Sequence, residues 1–428
     1  MDQNWEMGAL PNGARVVTCT VPGSGRVFIE AWLDVGSRNE MAGDEGAAHV
    51  VEHTVFKGIE HDGRALGTFE LASAMDDLGG RFNAHTGVEA TSYEAEVLAR
   101  HAPQAFAIIG GLIVRPQFPH AEIPKELDVI LQEMVAGLDD HDHLSSELLF
   151  STAFPGTPMG RPVIGTDVSV SGFTRDRLAA WREEQYVAHK LVVTVAGEIT
   201  HAEAMEHAYR HFGGLRQGVG VAPVASHFAG GVALQRAKIE QAYISLAFEG
   251  IQAGMPQEPV LDLISIILGD GFTARLPLEI RERRGWAYMT DSTHHCGTDS
   301  GLLSLYAEVD PRRAGDSLKI MIDQIANLGH TVTEKELERA KTIMLLGLMD
   351  EYEEGASLAS TVATGLLALG RVPGFEERQK AYEAVTILDI QQAVERLMEQ
   401  PYVIAGYGNV RGLEREIERM GGPSLRAM

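Results

Sequence analysis

The chain repeats one pattern, and that repetition limits what it can fold into. Leu191-Val192-Val193-Thr194-Val195-Ala196-Gly197-Glu198 is echoed by Tyr402-Val403-Ile404-Ala405-Gly406-Tyr407-Gly408-Asn409. Each echo follows an amphipathic stretch, residues 175–185 in one case and 388–398 in the other. Near the start of each half a β-rich run (26–35 and 241–248) precedes a helical run. Between the halves, residues 216–231 hold Gly218, Gly220, Pro223, Gly230 and Gly231, few large apolar side chains and little periodicity, so they read as a linker. At 428 residues the chain exceeds one ordinary core. The expected architecture is α+β: two similar domains, 1–215 and 232–428, joined by the 216–231 linker. Each would be a mainly antiparallel sheet covered by helices. The alternating stretches 91–98 and 301–309 read as strands with one buried face, and 103–113 and 336–349 as helices.

The histidine motif occurs in the first half only. Ala47 to Gly58 contains His49, Glu52 and His53. On a helix, His49 and His53 are one turn apart on one face, and Glu52 shares that face. Two imidazoles and a carboxylate converging this way suit a catalytic zinc, with the carboxylate as the base that takes a proton from water. The order His-x-x-Glu-His is the inverted form of the commoner zinc-protease motif. The corresponding stretch of the second half, Leu261 to Gly269, is apolar and lacks His, so that copy is expected to hold no metal.

Catalytic zinc takes three protein ligands and keeps an open position. Residues 123–135 read as a helix, with Pro124 in its first turn and Leu127, Ile130, Leu131 and Met134 at helical spacing. Glu126 and Glu133 lie two turns apart on one face. One can bind the metal while the other hydrogen-bonds a ligating imidazole.

These motifs resemble the inverzincin metallopeptidases, the family of pitrilysin, insulysin and the mitochondrial processing peptidase, and the small processing-peptidase-like branch fits best. Further matches support the resemblance. They are Leu10-Pro11-Asn12-Gly13, the pattern from Gly79 through Asn83, Ala84, Thr86, Glu89 and Thr91 to Tyr93, and the run from Gly271 to Tyr288 around Glu279-Ile280-Arg281. The resemblance implies His49, His53 and Glu133 as zinc ligands, Glu52 as the base and Glu126 as the partner of a ligating imidazole. It implies Arg281 and Tyr288 as donors to the developing oxyanion, and Asn83 and Ala84 on a strand that binds an extended peptide by β-augmentation. It also implies a clamshell dimer, with Arg281 and Tyr288 acting within one chain or across the interface. His85 is expected to be structural or to face substrate.

The implied activity is that of a zinc metalloendopeptidase cleaving leader, targeting or other oligopeptides, as a homodimer or as a heterodimer with a related subunit. The alternatives are a non-catalytic peptide-binding or scaffold subunit of the same fold, and a zinc-dependent module that captures peptides without cleaving them. A net charge of −24 repels phosphate backbones and argues against nucleic acid as a partner. No run of about 18 apolar residues is present, so no membrane span is expected. Met1 to Glu6 has neither the basic nor the apolar region of a secretory signal. Cys19 and Cys296 form no Cys-x-x-Cys pair, so a reducing compartment and a cytoplasmic location are expected. The acidic runs 139–142 and 351–354 read as solvated loops or faces.

Overall fold

The computed structural model describes residues 5–61, 63–353 and 355–421. Residues 1–4 of the amino-terminal stretch and Glu354 of the second acidic run lie outside the described residues.

In chain order the first half contains β1 (Trp5–Ala9), β2 (Arg15–Thr20), β3 (Arg26–Leu33), α1 (Ala47–Val55), β4 (Gly58–His61), β5 (Arg64–Gly67), α2 (Thr68–Asp76), β6 (Arg81–Thr86), β7 (Thr91–Leu98), α3 (Ala102–Val114), α4 (Ile123–Gly137), α5 (His141–Ala153), α6 (Asp167–Ser171), α7 (Arg175–Gln185), β8 (Leu191–Gly197) and α8 (His201–Phe212). The second contains β9 (Gly231–Arg236), β10 (Ala242–Glu249), α9 (Glu258–Gly269), β11 (Ala287–Cys296), β12 (Gly301–Val309), α10 (Ala314–Thr331), α11 (Glu334–Glu353), α12 (Gly355–Leu369), α13 (Phe375–Glu383), α14 (Ile387–Glu399), β13 (Tyr402–Gly408) and α15 (Leu413–Arg419).

The main sheets have strand orders β1-β2-β8-β3-β7-β6 and β11-β12-β10-β13-β9. In each, one neighbouring pair is parallel (β2 with β8, β9 with β13) and the rest are antiparallel. The ladders carry the repeat seen in the sequence. Leu191 begins β8 opposite Leu33 of β3, and Tyr402 begins β13 opposite Phe248 of β10. Both strands end on a glycine at positive φ, Gly197 at 131° and Gly408 at 92°. A Cβ on Gly197 would lie 2.2 Å from the Arg26 carbonyl oxygen, and one on Gly408 would lie 2.7 Å from that of Gln241. Only glycine meets both demands.

β8 is buried along its whole length, which explains a run of apolar residues where an exposed sheet would alternate. Its side chains still alternate between two cores. Leu191, Val193 and Val195 join Phe106, Ile109, Ala208 and Phe212 on one face. Val192 joins Val17 and the α12 residues Leu358, Val362, Ala363 and Leu366 on the other. Each fully buried aliphatic side chain contributes roughly 1.5–3 kcal/mol relative to exposure.

That second core departs from the linear division of the chain. One compact unit comprises residues 1–135, 161–224 and 350–372, and the other 136–160, 225–349 and 373–428. Helix α12 therefore covers β8 and β3 of the first sheet, and α5 covers β13, β10 and β9 of the second. A cut at 216–231 assigns both helices to the wrong unit. Helical periodicity marks an apolar face without naming the sheet it covers. The run 139–142 leads into α5, and its three aspartates are exposed, as a solvated loop or face should be. Asp140 accepts the His143 amide at 3.0 Å and caps α5. His141 packs against Tyr243 and Tyr407, and Asp142 accepts the Tyr306 hydroxyl.

Candidate active site

The first unit brings the amino-terminal metal motif together on α1. The helix starts at Gly46, whose φ of 90° and whose virtual Cβ, 2.7 Å from the Ile164 carbonyl oxygen, both favour glycine. The Glu40 carboxylate accepts the Gly46 and Ala48 amides at 2.9 and 2.8 Å, satisfying donors that the first turn leaves open. Val50, Val51 and Val55 are fully buried, so the opposite stripe, with His49, Glu52 and His53, turns to the site.

From α4, the half-exposed Glu133 aims Oε2 at both imidazoles, 4.0 Å from His49 Nε2 and 3.7 Å from His53 Nε2. These separations exceed a hydrogen bond. An ion with bonds of about 2.0–2.2 Å in tetrahedral geometry needs ligand atoms roughly 3.3–3.6 Å apart. The three ligand atoms lie within 4.8 Å of one another, so this set can hold a metal. Burial, with help from His53 and His85, pushes His49 down to about 4, so its imidazole is neutral and can act as a ligand. His49 Nδ1 is buried with no hydrogen-bond partner among the described residues.

Glu126, nearly buried on the same helix, lies behind His53. Its Oε1 lies 3.0 Å from His53 Nδ1 and its Oε2 lies 2.7 Å from Lys57 Nζ. Burial alone would raise this carboxyl, but the His53 and Lys57 hydrogen bonds outweigh it and hold it below the ordinary range. The Glu126 contact fixes the His53 ring with Nε2 toward Glu133. Burial would lower His53, but Glu126, Glu52 and Glu133 outweigh it and raise it.

Glu52 Oε2 accepts the Thr86 hydroxyl at 2.5 Å. Burial raises the Glu52 carboxyl, against the pull of that hydroxyl. Thr86 ends β6, the outermost strand of its sheet, and β6 also carries Asn83 (exposed), Ala84 (half-buried) and His85 (exposed). An outermost strand has one row of unpaired amides and carbonyls available to an extended chain.

Arg281 and Tyr288 belong to the second unit, and their described contacts are local. Arg281 pairs with Glu282 at 3.4 Å and lies over the Phe272 ring. Tyr288 is 84% exposed and borders a cleft with Glu308, Asp310 and Arg312. Sequence reading missed Thr86 as the anchor of Glu52, Lys57 as the partner of Glu126 and Glu40 as the cap of α1. Threonine two residues after Ala84 was visible within a motif, but nothing in sequence spacing shows a hydroxyl reaching a residue 34 positions away.

Comparison with known proteins places this geometry in a family. Residues 15–167 match the model described as insulinase (peptidase family M16), and residues 172–344 match the M16 inactive domain. An uncharacterized zinc protease of Rickettsia bellii is 31% identical over 402 residues, 93% of this chain and 96% of that protein. One from Mycobacterium tuberculosis is 31% identical over 424 residues, 96% of each. A crystal structure of a protease from Helicobacter pylori superposes with a TM-score of 0.87 at 19% identity, covering 95% of this chain and all of that one, which shows a shared fold. The coverage of both halves by the two domain models, together with relatives of matching length, shows that this chain belongs to peptidase family M16, the pitrilysin and insulinase family.

Proposed function

We propose that the protein is a zinc-dependent endopeptidase that hydrolyses extended peptides, such as leader, targeting or other oligopeptides. The observation that carries this reading is the convergence of His49 Nε2, His53 Nε2 and Glu133 Oε2, with Glu52 on the same helical face. In this reading these three side chains hold Zn2+ and Glu126 orients His53. Zinc bound there supplies a Lewis acid that polarises a carbonyl and lowers the pKa of water.

The chain's own groups do the remaining work. Thr86 engages Glu52 Oε2, which leaves Oε1 to take the proton of the attacking water and return it to the leaving amine. A peptide lies along β6 with its backbone paired to Asn83 and Ala84, so affinity comes from main-chain hydrogen bonds and sequence demand is loose. Arg281 and Tyr288 donate to the oxyanion, within one chain or across a homodimer, or across a heterodimer with a related subunit. The two free cysteines fit a reducing compartment, and the cytoplasm is the proposed location. No helix among the described residues is long and apolar enough to cross a membrane.

The deciding experiment is Glu52→Gln on the zinc-loaded protein with a peptide library, with and without chelator. The expected result is parental zinc content with hydrolysis lost; turnover equal to the parent would reject the assignment. Retained peptide binding without turnover in the parent itself would favour the capture module or scaffold reading. Arg281→Ala should lower cleavage with zinc content unchanged. Activity regained on mixing Glu52→Gln and Arg281→Ala chains would indicate sites shared between subunits.

A further inference from the structure

The second unit places a different donor set at the position where the first carries its base. Thr86 pairs with Thr91 of β7, which pairs with Leu33 of β3. Two ladders across the other sheet, His294 pairs with Leu303 of β12, which pairs with Phe248 of β10. Leu33 and Phe248 face the first residues of the two echoes, so His294 holds the place of Thr86. The helix partner corresponds as well. Thr86 bonds Glu52 of α1, and His294 Nδ1 lies 2.7 Å from Asp262 Oδ1 of α9. Cys296 lies two residues beyond His294 on the same strand face. Its Sγ is 3.5 Å from Nδ1 of that imidazole. His295, which points to the other face, packs against Phe150 of α5.

We propose that Asp262, His294 and Cys296 form a second divalent-metal site of the zinc class, in the second unit. The three ligand atoms lie within 4.8 Å of one another. An ion with Zn–S of about 2.3 Å and Zn–N of about 2.0 Å spans a tetrahedral S–N edge of roughly 3.5 Å, which is the Sγ–Nδ1 separation observed. The Asp262 Oδ1–His294 Nδ1 pair, 2.7 Å apart as a hydrogen bond, opens to roughly 3.3 Å when the ion replaces their shared proton, and that proton and the thiol proton are released to solvent. Tyr382 donates to Asp262 Oδ2 at 2.7 Å and fixes the carboxylate, the part Glu126 plays for His53. Glu258, one turn earlier on α9, shares the Asp262 face and is the nearest further carboxylate along that helix. The His294 side chain is 1% exposed, which keeps water from competing for the imidazole. A thiolate ligand selects zinc-like ions over Mg2+ and Ca2+. Cys296 forms no disulfide and is available as the ligand.

The test uses the full chain, stripped with chelator and reloaded with Zn2+ or Co2+. Metal per chain should be two in the parent. It should fall to one in His49→Ala/His53→Ala, and to one in Cys296→Ser. The Co2+ protein should show a near-ultraviolet thiolate-to-cobalt band that survives His49→Ala/His53→Ala and Cys19→Ser and vanishes in Cys296→Ser. In the unsubstituted protein, saturating Zn2+ should slow alkylation of Cys296 at least tenfold while leaving Cys19 unchanged. No thiolate band, or equal Cys296 alkylation with and without Zn2+, overturns the site. A failure of the amino-terminal zinc set would instead show as metal content unchanged by His49→Ala/His53→Ala, so the two readings fail separately.

Discussion

Thr86 and His294 occupy the same register position in two sheets built alike, yet they meet different side chains. In the first unit a short hydroxyl holds a carboxylate on α1, next to two imidazoles and the carboxylate of Glu133 from α4. In the second an imidazole pairs with an aspartate on α9, and a thiol follows two residues later. Five strands in the same order, the parallel pair at the β8 and β13 positions and the closing glycines are shared, with β1 an extra edge strand in the first sheet. A duplicated scaffold therefore fixes where a helix meets a strand end, and a few side chains decide what that junction can bind. The apolar face of α9 concealed this, because its polar partners come from β11, about 30 residues further on.

The comparison extends to the faces covered by exchanged helices. Glu30 of β3 and Ser245 of β10 hold equivalent ladder positions, opposite Thr194 and Ala405. Glu30 is 2% exposed and accepts the Ser360 hydroxyl of α12 at 2.9 Å. Burial, partly offset by hydrogen bonds from Ser360 and Thr194, pushes its carboxyl up to about 7.

The largest difference expected between the units is in peptide turnover. Glu52→Gln should lower peptide turnover by roughly a hundred- to ten-thousand-fold, the usual contribution of a general base. Steady-state assays at matched zinc content measure it, and a loss below tenfold would remove the distinction drawn for α1. Next in size are the exchanged helices. Leu358→Ala on α12 and Leu148→Ala on α5, both nearly buried, should each cost about 2–4 kcal/mol in urea unfolding. A large loss at one and none at the other would mean that only one helix is integral to its unit.

A third prediction concerns pH. The folded state raises the Glu30 value, so folding favours its protonated form. That contribution is fully present below the unfolded carboxylate range and is lost as pH rises to about 7, with no further change above. It amounts to roughly 3–4 kcal/mol. Glu30→Gln should flatten the decline in stability between about pH 4.5 and pH 7, whereas Ser245→Ala should leave its slope alone. Denaturation midpoints across that range check both. The smallest expected effect is at Glu126→Gln, which should weaken zinc binding by roughly 10–100-fold, because the His53 ring loses its orienting anion. Competition with a chelator of known affinity reads it, and unchanged affinity would make the Glu126–His53–Lys57 chain a packing feature only.

Much of this was legible in the chain. The His49, Glu52 and His53 spacing needs only helical periodicity to share a face, and α1 supplies it. The Glu126 and Glu133 pair required the same periodicity on α4, although which acid turns to the imidazoles was left open by spacing alone. The echo between 191–198 and 402–409 gave the correct strand correspondence to the residue, because a buried central strand must be apolar throughout and must end where the backbone turns away. Hidden from the sequence were contacts between residues far apart in it: Thr86 with Glu52, His294 with Asp262, and α12 with β8.

The sequence by itself determined the helices and strands with clear periodicity, that the unit comes twice, and which copy carries the paired histidines, since each follows from local periodicity and residue type. Only the tertiary structure decided which sheet each exchanged helix covers and which side chains meet at the α1–β6 and α9–β11 junctions. The reason is physical. Periodicity records that a face must be buried, but burial is satisfied by any apolar surface of the right shape, and the surface used is set by how the whole chain packs.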